Sequence, residues 1–122
     1  MARTKPSEDP VARIRSICLA LPEAAEQPFG GHTAPSFRVR GKLFVMISED
    51  LTCMTCKAPP GEQQALVGSD PKRFFVPAYV GHKGWVGARL DMEQDWDELR
   101  ELIEESYRMT APKSLSARLS AQ

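Results

Sequence analysis

Apolar residues recur every three to four positions near the start of the chain, at Val11, Ile14, Ile17 or Cys18, and Leu21. That spacing predicts an amphipathic helix with one buried stripe. Ser7 followed by Pro10 suits its start, Glu8 and Asp9 favour the positive end of its dipole, and Pro22 closes it. Pro22, Pro28, Gly30, Gly31 and Pro35 then punctuate residues 22–35, which read as a loop with Phe29 as an anchor. Alternation takes over in "SFRVRGKLFVMISED", two extended runs around Arg40-Gly41, where a glycine in second position suits a tight hairpin. "LTCMTCKA" follows as a third strand. Pro59-Pro60-Gly61 breaks the meander and "GEQQALVGSD" supplies a short helix. "RFFVPAYV" and "GWVGARLD" read as two further strands joined through Gly81-His82-Lys83-Gly84. The adjacent Phe74 and Phe75 must then face opposite ways.

The last long pattern begins at Asp95, an N-cap with Glu98 at the third helical position. Trp96, Leu99, Leu102 or Ile103, and Ser106 or Tyr107 mark its buried stripe, acids take the other face, and Pro112 ends it. "KSLSARLSAQ" adds a short frayed turn. The order is therefore α-β-β-β-α-β-β-α. It predicts an α+β fold, an antiparallel β-sheet of about five strands with the N- and C-terminal helices packed on one face. Residues 1–7 read as a flexible arm and 8–119 as a single domain.

Composition narrows the function without naming it. The chain has 122 residues, is 42% hydrophobic and 26% charged, and carries no net charge. It has no apolar run of the roughly 20 residues that a membrane span needs. The first residues lack the apolar core of a secretory signal, so a cytoplasmic protein is expected. Zero net charge provides no global field for nucleic acid, yet the distribution is uneven. Residues 91–105 hold eight acids against Arg100 alone, so a local basic surface survives elsewhere. Three cysteines, Cys18, Cys53 and Cys56, argue for reduced thiols.

Individual motifs are weak. Cys53 and Cys56 lie in a strand-like run, where residues three apart point to opposite faces and cannot converge on a metal. No metal site and no cofactor are expected. Gly81-His82-Lys83-Gly84 has the form of a nucleic-acid-clamping GxxG, but its flanks are strands where that clamp joins helices. His82 and His32 are available bases without a recognisable triad, since Ser36, Ser48 and Cys56 lack a nucleophile-elbow pattern. Catalysis is thus not the expected role. Arg38, Arg40 and Lys42 form the densest basic cluster, with Arg38 and Arg40 placed on one side by alternation.

The segments "FRVRGKLFVMI", "CKAPPGEQQALV", "DPKRFFVPAYVGHKGWVGARLD" and "DWDELRELIEESYRMTAPKSL" together resemble the MmcQ/YjbR family, closest to its actinobacterial-type members. The resemblance runs over roughly residues 10–119. It implies a CyaY/YjbR-like fold, an antiparallel sheet backed by two helices. The family's DNA-binding label follows its two-winged shape, and a shape does not establish an activity. Frataxin-like relatives of the fold bind iron through an acidic first helix. Here the acids lie on the last helix, so iron handling is not implied, and no catalytic residues carry over.

Three readings follow. The leading one is weak DNA binding through two basic hairpins, with Arg38, Arg40, Lys42, Lys83 and Arg89 on phosphates and His82 as a donor. A second is a small-molecule-binding protein or enzyme. Its pocket would lie between the Gly30-Gly31-His32 and Gly81–Gly84 loops and be lined by His32, Tyr79, His82 and Trp85. The third is a protein partner docked on the acidic last helix.

Overall fold

The computed structural model describes residues 9–28 and 34–120. The arm 1–7, Phe29 and the Gly30-Gly31-His32 loop lie outside those residues. Asp9 caps helix α1 (Pro10–Leu19), accepting from the Val11 amide at 3.3 Å, with Pro10 in the first turn where its missing N–H costs nothing. Val11, Ile14 and Cys18 form the buried stripe that the spacing predicts. Strands β1 (Ala24–Pro28), β2 (Pro35–Val39), β3 (Lys42–Ile47) and β4 (Cys53–Cys56) come next, then helix α2 (Glu62–Ser69) and a two-residue strand β5 (Phe74–Phe75). A 3₁₀ turn at Gly81–Lys83 leads into β6 (Val86–Arg89), followed by helices α3 (Trp96–Thr110) and α4 (Lys113–Ser120).

The sheet is antiparallel with order β1-β2-β3-β4-β6-β5. It has six strands where about five were expected. The extra one, β1, lies in the stretch that reads as a loop, and it pairs with β2 in continuous register from Ala24↔Val39 to Pro28↔Pro35. At the far edge "RFFVPAYV" is shorter as a strand than expected, because only Phe74 and Phe75 pair with β6. The "frayed turn" at the end of the chain is a full helix, anchored by the buried Leu115.

Cross-strand register sorts the side chains into two faces. Phe37, Val45, Cys56 and Val86 form one row and Ile47, Met54, Ala88 and Phe74 another; all are buried toward α1 and α3. Between these layers Phe44 meets Tyr107 edge-on, with ring centroids 5.5 Å apart. Phe44 is an added residue in β3: Phe37 pairs with Val45 but Arg38 pairs with Leu43, so β3 bulges there. The bulge explains how the neighbours Phe44 and Val45 are both fully buried. The Ser106 hydroxyl occupies the gap that the bulge opens, donating to the Phe44 carbonyl at 2.6 Å and accepting from the Lys57 amide at 2.9 Å.

The opposite face carries a straight row across all six strands, Gln27–Ser36–Met46–Thr55–Gly87–Phe75. Phe74 and Phe75 do point apart, Phe74 into the core and Phe75 across this outer face over Gly87. Asp95 caps α3 through the Asp97 and Glu98 amides. Glu98 does not complete a capping box; its carboxylate meets Arg73 at 2.9 Å. Arg73 also bonds Asp70 at 2.6 Å and Gln94 at 3.2 Å, tying β5 to α3.

Candidate functional site

Three segments meet at one end of the sheet. The first is the Arg40–Gly41 turn between β2 and β3. Both of its central residues have positive φ, 52° and 79°, the two-residue hairpin geometry whose twist matches the strands. The second is Lys57–Pro59 after β4, and the third is Gly81–Trp85, the last part of the connection between β5 and β6. Contact between the last two is direct: the Lys57 amine lies 6.0 Å from the Trp85 ring centroid. A Cβ on Gly84 would lie 3.8 Å from the Ala58 carbonyl oxygen.

This end gathers part of the basic set and removes part of it. Lys42 opens β3 in an exposed position, and His82 and Lys83 are exposed on the 3₁₀ turn. Arg40, however, is held by Glu23 through two bonds of 2.6 and 3.1 Å, which pushes the Glu23 carboxyl below its ordinary range. Arg40 sits in the turn rather than beside Arg38 on the strand, so alternation does not align the two. Arg38 donates to the Gly41 carbonyl at 3.2 Å from the outer face. Arg89 pairs with Cys53 toward the other end of the sheet and covers the Phe75 ring at 4.8 Å. The two arginines therefore do not converge with the lysines.

Lys57 joins the group without having been marked in the sequence. It is half-buried, and its pKa is lowered first by burial and second by the charge of Lys42. Among the described residues, Lys42, Lys57 and Lys83 form no ion pair with a carboxylate.

The Gly81–Gly84 turn is clamped from beneath by α2. The buried Gln63 amide donates to the Gly81 carbonyl at 2.8 Å and to the Trp85 carbonyl at 2.6 Å, one bond at each end of the turn. Trp85 is buried. Tyr79 is 93% exposed. Its φ of 67° and the 2.7 Å bond from the Val80 amide to the Ala78 carbonyl define a γ-turn, a strained form that projects the ring outward.

A cleft of about 350 Å³ lies between the end of β3 and the 78–80 loop, lined by Ala34, Met46, Ile47, Ser48, Glu49, Ala78, Tyr79 and Val80. Tyr79 borders it, whereas His82 and Trp85 do not, and His32 falls outside the described residues. The lining is largely apolar.

The candidate nucleophiles are engaged elsewhere. Ser36 donates to the Gln27 carbonyl at 2.7 Å. Ser48 donates to Asp50 at 2.8 Å and accepts from the Thr52 and Cys53 amides. Burial pushes the Cys56 thiol up to about 12 and that of Cys18 well up, so neither forms thiolate near neutrality. Cys53 and Cys56 alternate with Met54 and Thr55 along β4, so they face opposite sides of the sheet. On α3, Glu98 is occupied by Arg73 and Glu105 lies 3.8 Å from Arg108, which leaves Asp97, Glu101 and Glu104 as its acids without an ion pair among the described residues. No helix among the described residues is long and apolar enough to cross a membrane.

Comparisons with known proteins agree with this architecture. The YjbR family model matches residues 19–109. A crystal structure of the Deinococcus radiodurans protein DR2400, with a DUF419 domain, matches with a TM-score of 0.73 at 23% identity. The match covers 81% of this chain and 76% of that one, a likeness of fold. No curated protein matches the sequence significantly.

Proposed function

The chain belongs to the YjbR family, and from the geometry of this member we propose that its basic sheet end holds the phosphate backbone of a nucleic acid. The observation that carries the reading is the lysine group: the charge of Lys42 helps lower the Lys57 pKa, Lys83 stands on a neighbouring turn, and no carboxylate among the described residues pairs with any of them. A phosphate bridging these amines relieves that repulsion. His82, exposed beside Lys83, adds a donor, and Arg38 extends the surface onto the outer face. Arg40 and Arg89 take no part, since Glu23 and Phe75 hold them.

Such a site is weak and salt-sensitive. About three phosphate contacts give a slope of log K against log salt of about −2.7 on duplex DNA. Fluorescence anisotropy with a short duplex, titrated from low to physiological salt, measures it. The triple variant Lys42→Ala, Lys57→Ala, Lys83→Ala is expected to flatten the slope, and Arg40→Ala to leave it unchanged. A slope that survives the triple variant, or no binding at about 50 mM salt, sinks the reading.

The cleft beside Tyr79 favours a second reading, a site for a small apolar ligand. An aromatic held out in a γ-turn at the rim of an apolar cleft is a strained arrangement of the kind found at ligand clamps. A thermal-shift screen of small aromatic and aliphatic compounds is expected to yield ligands that raise Tm in the parent and not in Met46→Gln. Hits that stabilise both proteins equally exclude the cleft as their site.

A further inference from the structure

Building on the nucleic-acid reading above, on which this rests, we propose that the strand held is single and that one of its bases stacks on Tyr79 and enters the cleft beside it. Three observations carry the inference. The Tyr79 ring stands almost wholly in water on a backbone of positive φ, a costly conformation of the kind kept at ligand clamps. It borders a cleft of about 350 Å³ that Met46, Ala34, Ala78 and Val80 make largely apolar, a setting suited to one planar ring. The cleft also adjoins the cations. The Lys83 amide donates to the carbonyl of Val80 at 3.0 Å, so a residue lining the cleft and the lysine share one turn. Gln63 holds that turn from beneath through the Gly81 and Trp85 carbonyls.

Charge gives the nucleotide its direction. Glu49 is the one charged residue among those lining the cleft, and it repels a phosphate while tolerating a neutral base. His82 and Lys83, exposed a few residues after Tyr79, take the phosphate. Base and phosphate thus meet successive residues of one loop. Duplex DNA fits this arrangement poorly. Its bases are paired and stacked, so one reaches the face of Tyr79 only after being flipped out, a cost that a single strand avoids. Every base has a π-face, so stacking of this kind is indifferent to sequence.

The test is fluorescence anisotropy of the full chain with three labelled probes of equal length: an oligothymidylate, an abasic strand and a duplex. The oligothymidylate is expected to bind more tightly than the other two. Tyr79→Ala is expected to weaken it at least about fivefold, the least that one stacked base contributes, and to leave the other two probes unchanged. Tyr79→Phe keeps the stacking face and is expected to bind like the parent; a loss there overturns stacking as the contact. A duplex bound as tightly as the oligothymidylate, or oligothymidylate binding that Tyr79→Ala does not move, overturns the proposal and leaves the phosphate reading standing. A preference that depends on Tyr79 and persists in the triple lysine variant supports the base site and overturns the lysine site. No binding of any probe at about 50 mM salt overturns both.

Discussion

Gly87→Val is expected to lower the unfolding free energy by about 3 kcal/mol, the upper end of what an added side chain costs in a packed site. A Cβ at residue 87 would sit 2.3 to 2.6 Å from three atoms of the Phe75 ring, well inside van der Waals contact. Gly87 is buried in the middle of β6 with partners on both sides, so its backbone cannot withdraw. The ring has to leave instead. It then loses its burial on the outer face and its stacking under Arg89, and β5 has only one other residue to hold it to the sheet. Urea unfolding measures the loss, and a double-mutant cycle identifies its origin. Phe75→Ala alone should cost about 2 kcal/mol for a half-buried ring. In that background Gly87→Val should cost less than 1 kcal/mol, because the clash is gone. Additive losses in the double variant would place the cost elsewhere than the ring.

A loss of similar size, about 3 kcal/mol, is expected for Gln63→Ala. Two buried carbonyls, of Gly81 and Trp85, lose their donor at once, and each unsatisfied group costs about 1–3 kcal/mol. The damage should be local before it is global. Hydrogen exchange of the amides from 81 to 86 is expected to accelerate more than that of α3, and unchanged protection there rules the clamp out. Gln63→Glu sharpens the test through pH. An ionised carboxylate would face two carbonyl oxygens, so the folded state holds the new group protonated above its ordinary value of about 4.3. Its folded-state pKa is raised, so the variant is most stable below about 4. It loses stability as pH climbs from there through the raised value. The parent protein has no such step from residue 63.

The reading of the sequence fared best where one periodicity ran long enough to dominate. The stripes of α1 and α3, the Arg40–Gly41 hairpin and the opposed Phe74 and Phe75 all follow from spacing alone. The strand β1 was illegible for a physical reason. Ala24-Ala25-Glu26-Gln27-Pro28 contains residues that strands disfavour, and it is extended because β2 offers it a partner. The connection after β5 misled in the other direction. Its residues resemble a strand, but Pro77 lacks an amide and Tyr79 adopts a positive φ, which together end the ladder after two residues. The candidate site was legible as a loop and not as chemistry. Nothing in Gln63-Gln64 says which amide turns inward. Arg40 looked available because Glu23, 17 positions away, becomes its partner only once β1 exists. Lys57 stood outside the basic cluster in sequence and joins it across strands.

Both margins of the sheet are poor templates for another strand. Strand β5 exposes two residues, too few to register an incoming chain. Strand β1 ends in a proline that offers no amide, and it turns a glutamate, Glu26, toward the helix side, where Arg15 meets it at 2.8 Å. A strand arriving from a second molecule would find few free donors on one side and an engaged charge on the other. Edge-to-edge polymerisation of the native sheet is therefore disfavoured at both margins.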